Sequence, residues 1–357
     1  LILTAPQSDL STALEKVEFA LSSGIAVHRQ VLLDCTGEWV VFSAHNTTTA
    51  IKTAIPIPLA EEGDRLLLPP EAIRAVKAMP PGDVTLSKKD GRLILKSSLG
   101  PKYQLGYGNP ADYMDVVFSK KTTFKIGIEQ LLRAIRYLGA YRTDTVLITG
   151  QHFITTDKFR MTVVTHLGTP PWEAGEQVVV PSGFFPLAEK VLDSGGGDVD
   201  VIVQNNRVTF RQGMNAISTL RSDAKFPSFQ TALDSFDLLG HFETTREDLL
   251  AACDRASVIA RGHLPMKLDL KSKKGGEVSA FRTDVGTSEE TLVGDWHVAD
   301  YSIAFNAGML RAMVSVLAPG DVRLSFDTNP KNMFHLDGPD DEQVGFVMMP
   351  MMSMMGT

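Results

Sequence analysis

Few side chains in this 357-residue chain stand where covalent chemistry would need them. None of the eight histidines lies at metal-ligand spacing from another histidine or a cysteine; His152, His166, His241, His263 and His297 scatter among turns and strand ends, and no metal site is expected. Cys35 and Cys253 are too few for a disulfide framework or a cysteine zinc site, and are expected to be free, buried thiols. Gly195-Gly196-Gly197 follows a helical pattern and lacks the trailing Gly-Lys-Ser/Thr of a nucleotide loop, so it reads as a helix end and turn. Gly106-Tyr107-Gly108 runs into Asn109-Pro110 where a dinucleotide fingerprint needs a helix start. No Gly-x-Ser-x-Gly elbow occurs, and Asp340-Asp341-Glu342, after Gly338-Pro339, reads as a solvated hairpin turn. A chain this long with no catalytic constellation points to a non-enzyme without a cofactor.

Two other groups of residues are placed to bind rather than to react. In the helical pattern from Glu129, stepping roughly 100° per residue puts Leu131, Leu132, Ile135 and Leu138 on one stripe and Arg133, Arg136 and Tyr137 on the far side. In the pattern from Glu71, Ile73, Val76 and Met79 share a face, with Arg74 opposite and Lys77 on its flank; Arg255 and Arg311 sit off their apolar stripes in the same way. Each of these cations could meet a phosphate. Glu15, Glu18, Glu189 and Asp254 lie on the same set of helices, however, and bring the summed charge near zero, so ordinary solvated faces fit the periodicity as well. The second group is the methionines: six of 14 fall among the last ten residues, at Met348, Met349, Met351, Met352, Met354 and Met355. Methionine is flexible and polarizable, which suits a surface that accepts several ligands, although a core strand followed by a tail would give the same composition.

The elements that must position these residues follow from composition and self-similarity. With 43% hydrophobic and 22% charged residues the chain can bury a core, and no apolar run is long enough to span a membrane. The start, Leu1 to Asp9, lacks a basic and apolar leader pattern, so a cytosolic protein is expected. A net charge of -7 argues against gripping nucleic acid by bulk electrostatics. Three segments align as strand, helix, turn, strand: Leu66 to Leu86, Val178 to Val201 and Ile303 to Leu324. In each, Gly-Asp-Val opens the last strand, at Gly82, Gly197 and Gly320. A second helix precedes each one, at Asp9 to Leu21, Glu129 to Tyr141 and Glu247 to Ile259, and short alternating stretches between them read as antiparallel strands. The pattern predicts an α+β protein of three similar domains, each with two helices packed on antiparallel sheets, at 1–119, 120–239 and 240–357.

Against this background several segments resemble the bacterial sliding clamp, the beta subunit of DNA polymerase III: TTDKFRM at Thr155 to Met161, the Val-Val-Pro helix entry at Val179 to Pro181, DAKFP at Asp223 to Pro227, Phe305-Asn306, and VMMPM at Val347 to Met351. The resemblance covers the whole chain. It implies the DNA clamp fold and a head-to-tail, ring-forming homodimer that double-stranded DNA threads without sequence preference, with replicative and repair polymerases and an ATP-driven clamp loader as partners. A cytoplasmic, nucleoid-associated location follows. For a partner-peptide pocket of the Gln/Leu/Phe type it implies Thr156, Lys158, Phe159, Arg160, Met161, Pro227, Asn306, Met309, Val347, Met348, Met349, Pro350 and Met351, with Thr231 and Asn332 as further candidates. For the DNA-facing side it implies Arg74, Lys77, Arg133, Arg136, Tyr137, Lys190, Arg255 and Arg311, and for the dimer contact Val258 and Ile259 against the region of Lys102 and Tyr103. Two departures stand out. Lys158-Phe159-Arg160-Met161 replaces the Gly-His-Arg-Leu common in the family, and the chain runs six residues past Met351, a Met-rich tail able to fold over the pocket. A clamp-fold peptide scaffold that does not encircle DNA is the competing reading, and an enzyme with scattered catalytic residues a third.

Overall fold

Each of the three aligned segments begins its last strand with a glycine that no other residue would replace without strain: φ is +145° at Gly82, +96° at Gly197 and +127° at Gly320. The carbonyl of each then accepts the first free N–H of a helix, from Gln7 at 2.8 Å, Ile128 at 3.0 Å and Arg246 at 2.8 Å. Those residues open α1 (Gln7–Glu18), α3 (Ile128–Leu138) and α6 (Arg246–Ile259). The strands leading into these helices pair with the strand after each glycine in one common register, Pro6 opposite Asp83, Gly127 opposite Asp198 and Thr245 opposite Asp321. The second helix of each segment is α2 (Pro70–Ala78), α4 (Phe184–Val191) and α7 (Ala307–Ser315). A short α5 (Gln230–Asp234) lies outside the repeat.

The computed structural model describes residues 2–22, 24–57, 63–119, 121–166, 177–204, 206–228, 230–260, 262, 264–272, 275–338 and 344–351. The acidic run at 340–342 and the tail from Met352 lie outside this set. The described residues form two compact units, one from 2–129 and 183–221, the other from 130–166, 177–182 and 222–351. The units divide along the sheets, so elements of the middle third fall in both.

In the first unit an eight-stranded antiparallel sheet runs Arg65–Leu68, Val31–Asp34, Val40–His45, Thr49–Ile55, Asn215–Leu220, Arg207–Gln212, Asp198–Val203, Phe124–Gly127. Its middle joint pairs Ile51 with Ile217, residues from the first and second thirds of the chain. A separate four-stranded sheet runs Ile2–Pro6, Asp83–Lys89, Arg92–Ser97, Lys102–Leu105. The tight turn at Asp90-Gly91, with φ of +49° and +70°, has the twist a two-residue hairpin needs. α1 presents Leu10, Ala13, Leu14 and Val17, one helical face, to the core and packs against α2.

The second unit repeats this arrangement. Its eight strands run Val178–Pro181, Thr145–Ile148, His152–Thr156, Arg160–Thr165, Val344–Met348, Phe334–Asp337, Asp321–Asp327, Leu238–Thr245, joined at the middle by Met161 opposite Val347. Its four-stranded sheet runs Gly286–Leu292, Gly275–Arg282, Met266–Lys271, Tyr301–Phe305. α6 is capped by Thr245, whose hydroxyl accepts the Asp248 N–H, and packs against α7. Cys253 on α6 and Cys35 are both buried and reduced, and burial pushes each thiol up to about 12. Among the described residues no helix is long and apolar enough to cross a membrane, and no group of three metal-binding side chains forms.

His166 is 3% exposed, stacks at 4.8 Å on Phe153, and is lowered by burial to about 4, against a bond to the Thr149 carbonyl that works the other way. Burial lowers His45, His152 and His335 in the same direction. A depressed histidine is neutral in the folded chain while the unfolded chain takes the proton first, so its contribution is complete above about pH 6.5 and is lost as pH falls toward 4. Urea unfolding between pH 7 and 4 should show this loss, on the order of 3 kcal/mol from His166 alone, and H166Q should flatten the curve. An unchanged slope in H166Q would contradict the assignment.

Candidate functional site

The hairpin joining His152–Thr156 to Arg160–Thr165 is locked by its own side chains. Asp157 accepts the N–H groups of Phe159 (3.0 Å) and Arg160 (2.8 Å) and grips the Arg160 guanidinium at 2.6 and 3.0 Å. The Thr156 hydroxyl accepts from Lys158 N at 3.0 Å and donates to the Arg160 carbonyl at 2.6 Å. The guanidinium lies 4.0 Å over the Tyr141 ring and donates to the Met309 carbonyl, so Arg160 fastens the hairpin to the start of α7. Held this way, the turn pushes Phe159 outward to 60% exposure, and Lys158 takes φ +77°.

Two further ties complete the site. Asn306 caps α7 by accepting the Met309 N–H and donates its amide to the Gly262 carbonyl at 2.8 Å, so both ends of a 9% exposed side chain are committed. Past Val344–Met348 the chain continues as a bridge: Met349 N–H donates to the Phe159 carbonyl at 2.8 Å and Met351 N–H to the Ala304 carbonyl at 2.7 Å. Phe159, Asn306, Met309, Met348, Met349, Pro350 and Met351 thereby line one open cavity of about 930 Å3. Its remaining wall is Leu264, Pro265, Phe281, Arg282, Thr283 and Asp284. The sequence reading missed that wall. Its signal was Phe281, an aromatic at an outward position of an alternating strand, followed by a polar turn.

Other pocket candidates stand behind or beside the cavity. Met161 and Val347 are buried in a core cluster with Leu147, Ile154, Val179 and Met333, covered by Phe226, Leu233 and Phe236. They do not line this cavity, as Met161 opposite Val347 places both side chains on the other face of the sheet, where Val347 lines a second pocket with Val163, Leu233 and His335. Thr156, Lys158 and Arg160 act through the turn. Pro227 is exposed beside Phe226, Thr231 lies within α5, and Asn332 is bound to Asp327 at 3.0 Å.

The cations expected to face DNA are mostly paired already. Arg74 binds Glu71 at 2.6 Å, Lys77 binds Glu18 at 2.6 Å, Arg255 binds Glu290 at 2.6 Å, and Arg311 binds Asp254. Lys190 lies 4.7 Å over the exposed Phe19 ring, and Arg136 is exposed while Arg133 is half-buried. Tyr137 corrects the helical-wheel reading. It is 1% exposed, packed edge-on to Phe346 at 6.0 Å, and its hydroxyl accepts from Arg136 at 2.8 Å. A large ring on the flank of the stripe gains more from burial than from exposure, so α3 buries Leu131, Ala134, Ile135, Tyr137 and Leu138 and leaves Leu132 half-buried. Of the expected dimer residues, Tyr103 is 37% exposed on the edge strand Lys102–Leu105, Val258 is 61% exposed on α6, and Ile259 is half-buried.

Sheets that continue from one repeat into the next, with paired helices in each, define the class: the fold is that of the DNA sliding clamps. It matches over 99% of both chains the solved sliding clamp of Bacillus subtilis, with a TM-score of 0.86 at 19% identity. The beta subunit of Streptococcus pyogenes DNA polymerase also gives 0.86, at 17% identity, covering 99% of this chain and 100% of that one. Residues 240–352 match the family model for the DNA polymerase III beta subunit, C-terminal domain. In sequence the chain is 24% identical to the beta sliding clamp of Caulobacter vibrioides, across 98% of this chain and 99% of that protein. It is 25% identical to that of Bacillus subtilis over 55% of this chain, spanning about half (52%) of that relative. Family model, relatives and solved structures agree, and what this chain resembles is the beta subunit of bacterial DNA polymerase III, the beta sliding clamp.

Lys158 occupies a left-handed position that glycine adopts without steric cost. K158G should therefore raise stability by about 1 kcal/mol, strain relief outweighing the added freedom of the unfolded chain. Denaturant unfolding at constant m-value reads the gain; a loss of stability would show that the turn is unstrained.

Proposed function

We infer that the chain is a processivity clamp, a non-catalytic subunit that closes into a head-to-tail homodimeric ring around duplex DNA and tethers polymerases, an ATP-driven clamp loader and repair proteins through the pocket lined by Phe159 and Met348 to Met351. Its subunit is divided into three repeating domains near Ser119 and Leu239, and it works in the cytoplasm on nucleoid DNA. The observation that carries this reading is the count of strands. Among the described residues each unit holds one eight-stranded sheet and one sheet of four. The four-stranded sheets end in the edge strands Lys102–Leu105 and Gly286–Leu292, backbone ladders that invite pairing. Setting the first edge of one chain against the second edge of another would complete two further eight-stranded sheets and close a ring, with Tyr103, Val258 and Ile259 flanking the joints.

Confinement also accounts for the charge. A ring holds DNA by topology, so Arg74, Lys77, Arg133, Arg136, Lys190, Arg255 and Arg311 need only touch phosphates weakly, and cations already neutralised by neighbours suit that need. The same neutralisation favours the second reading, a peptide-binding scaffold that does not encircle DNA.

Loading onto nicked circular duplex with a bacterial clamp loader and ATP separates the two. The ring should survive high salt on the circle and run off once the circle is cut; equal loss from circular and linear DNA would leave the scaffold. R133E/R136E should reduce loading without changing peptide affinity. Placing a charge in the proposed joint, Y103R, should shift the chain to monomers in light scattering and abolish retention; a chain that is monomeric before the substitution, at every concentration, has no ring to break.

A further inference from the structure

The second pocket, a cavity of about 730 Å3, differs from the methionine-lined one in that charge is left over in it. A row of residues crosses its floor from strand to strand. Glu243 stands opposite Arg323, and Arg323 opposite Asp337. Leu336 pairs with Phe346, so Gly345 continues the row beyond Asp337, and Val163 stands opposite Gly345. Arg323 is committed to Glu243, at 2.8 and 2.9 Å. Among the described residues the half-buried Asp337 carboxylate has no hydrogen-bond or ion-pair partner; burial pushes it up, while the more distant Arg323 acts the other way. His335, two residues back on the same strand and lining the same cavity, supplies no charge, because burial pushes it down and its Nε2 is buried without a partner. At Gly345 the sheet leaves a gap: a Cβ at this position would have Asp337 Oδ1, at 4.0 Å, as its nearest neighbour. The row therefore reads acid, base, acid, gap, and a cation in the gap would complete the alternation of charge that neighbouring strands favour.

We propose that this gap is a binding site for a primary alkylammonium group: its head pairs with Asp337 above Gly345, and its stem lies along Val163 and Leu233. A partly desolvated carboxylate without a counter-charge destabilises the chain that carries it, and a ligand that brings the charge removes that cost on binding. An ammonium is a compact charge on a flexible apolar stem, which matches a cavity with one free carboxylate and an apolar wall. A bare metal ion would need several ligands together, and among the described residues no group of three forms. Asp321, exposed and lining the same cavity, draws cations toward it without facing the gap. The site is separate from the methionine-lined cavity and stands whether or not that cavity takes a peptide.

Saturation-transfer NMR titration of the full chain at pH 7 tests this, with 1,5-diaminopentane and N-acetyl-lysine methylamide as probes and pentan-1-ol as the uncharged control. At least one amine should bind with a Kd of about a millimolar, and the alcohol about tenfold more weakly. D337N should weaken the amine about tenfold, G345V, which fills the gap, should remove binding, and D321N should change the Kd less than about twofold. Binding by the diamine alone supports the site for a free amine, and binding by the lysine amide supports it for the side chain of a protein. No amine binding, equal affinity for amine and alcohol, or amine binding that D337N and G345V leave unmoved overturns the proposal. Urea unfolding should find neither variant less stable than the wild type, since one loses an uncompensated charge and the other gains a side chain suited to a strand. G345A, which adds less bulk, repeats the steric arm if G345V unfolds.

Discussion

The architecture depends on one backbone contact made three times. A carbonyl on a positive-φ glycine takes the first N–H of a helix, at Gly82, Gly197 and Gly320, and in doing so fixes three things together. It satisfies a helix end that would otherwise need water or a side chain, sets the register of the two strands that flank it, and decides which face of the helix meets the sheet. A side chain with a Cβ at any of the three glycines would have to give up the φ that aims the carbonyl. Everything larger, including the way strands of successive repeats line up into sheets of eight, is built on strands that this contact has already placed.

The candidate site shows the same economy in side chains. Arg160 makes no free charge available; it spends its guanidinium on Asp157, the Tyr141 face and the Met309 carbonyl. Asn306 and the N–H groups of Met349 and Met351 are likewise committed to the frame. The result is a mostly apolar pocket in which methionine and phenylalanine stand beside Leu264, Pro265 and Pro350, with Arg282, Thr283 and Asp284 as its polar edge. Such a surface discriminates by fit and contact area rather than by charge.

Much of this was legible in the sequence. The Gly-Asp-Val repeat located all three glycines, and the apolar spacing placed six helices within a few residues, because both signals are local: a turn residue with one permitted conformation and a periodicity of one face. The methionine bridge was visible by composition and by family resemblance. Less legible were features decided by packing at a distance. Tyr137 has a polar hydroxyl that suggests solvent on a helical wheel, yet Phe346, more than two hundred residues later, gives its ring a partner, and Arg136 meets its hydroxyl. Phe281 and its turn reach the cavity only because Met266–Lys271 sits between Gly275–Arg282 and Tyr301–Phe305, a neighbour relation that no single stretch encodes. Met161 and Val347 carry the family pattern but face away from the methionine-lined cavity, Val347 toward a second pocket, since strand pairing, not residue type, chose their face.

The pairing of Arg74, Lys77, Arg255 and Arg311 with nearby carboxylates bears on motion. A guanidinium that can trade a carboxylate for a passing phosphate, and trade back, makes neither state deep, because each exposed pair is worth no more than about 1 kcal/mol. On the proposed ring this would level the energy profile along the DNA: successive positions would differ by little more than thermal energy, and friction, rather than escape from wells, would set the rate of drift.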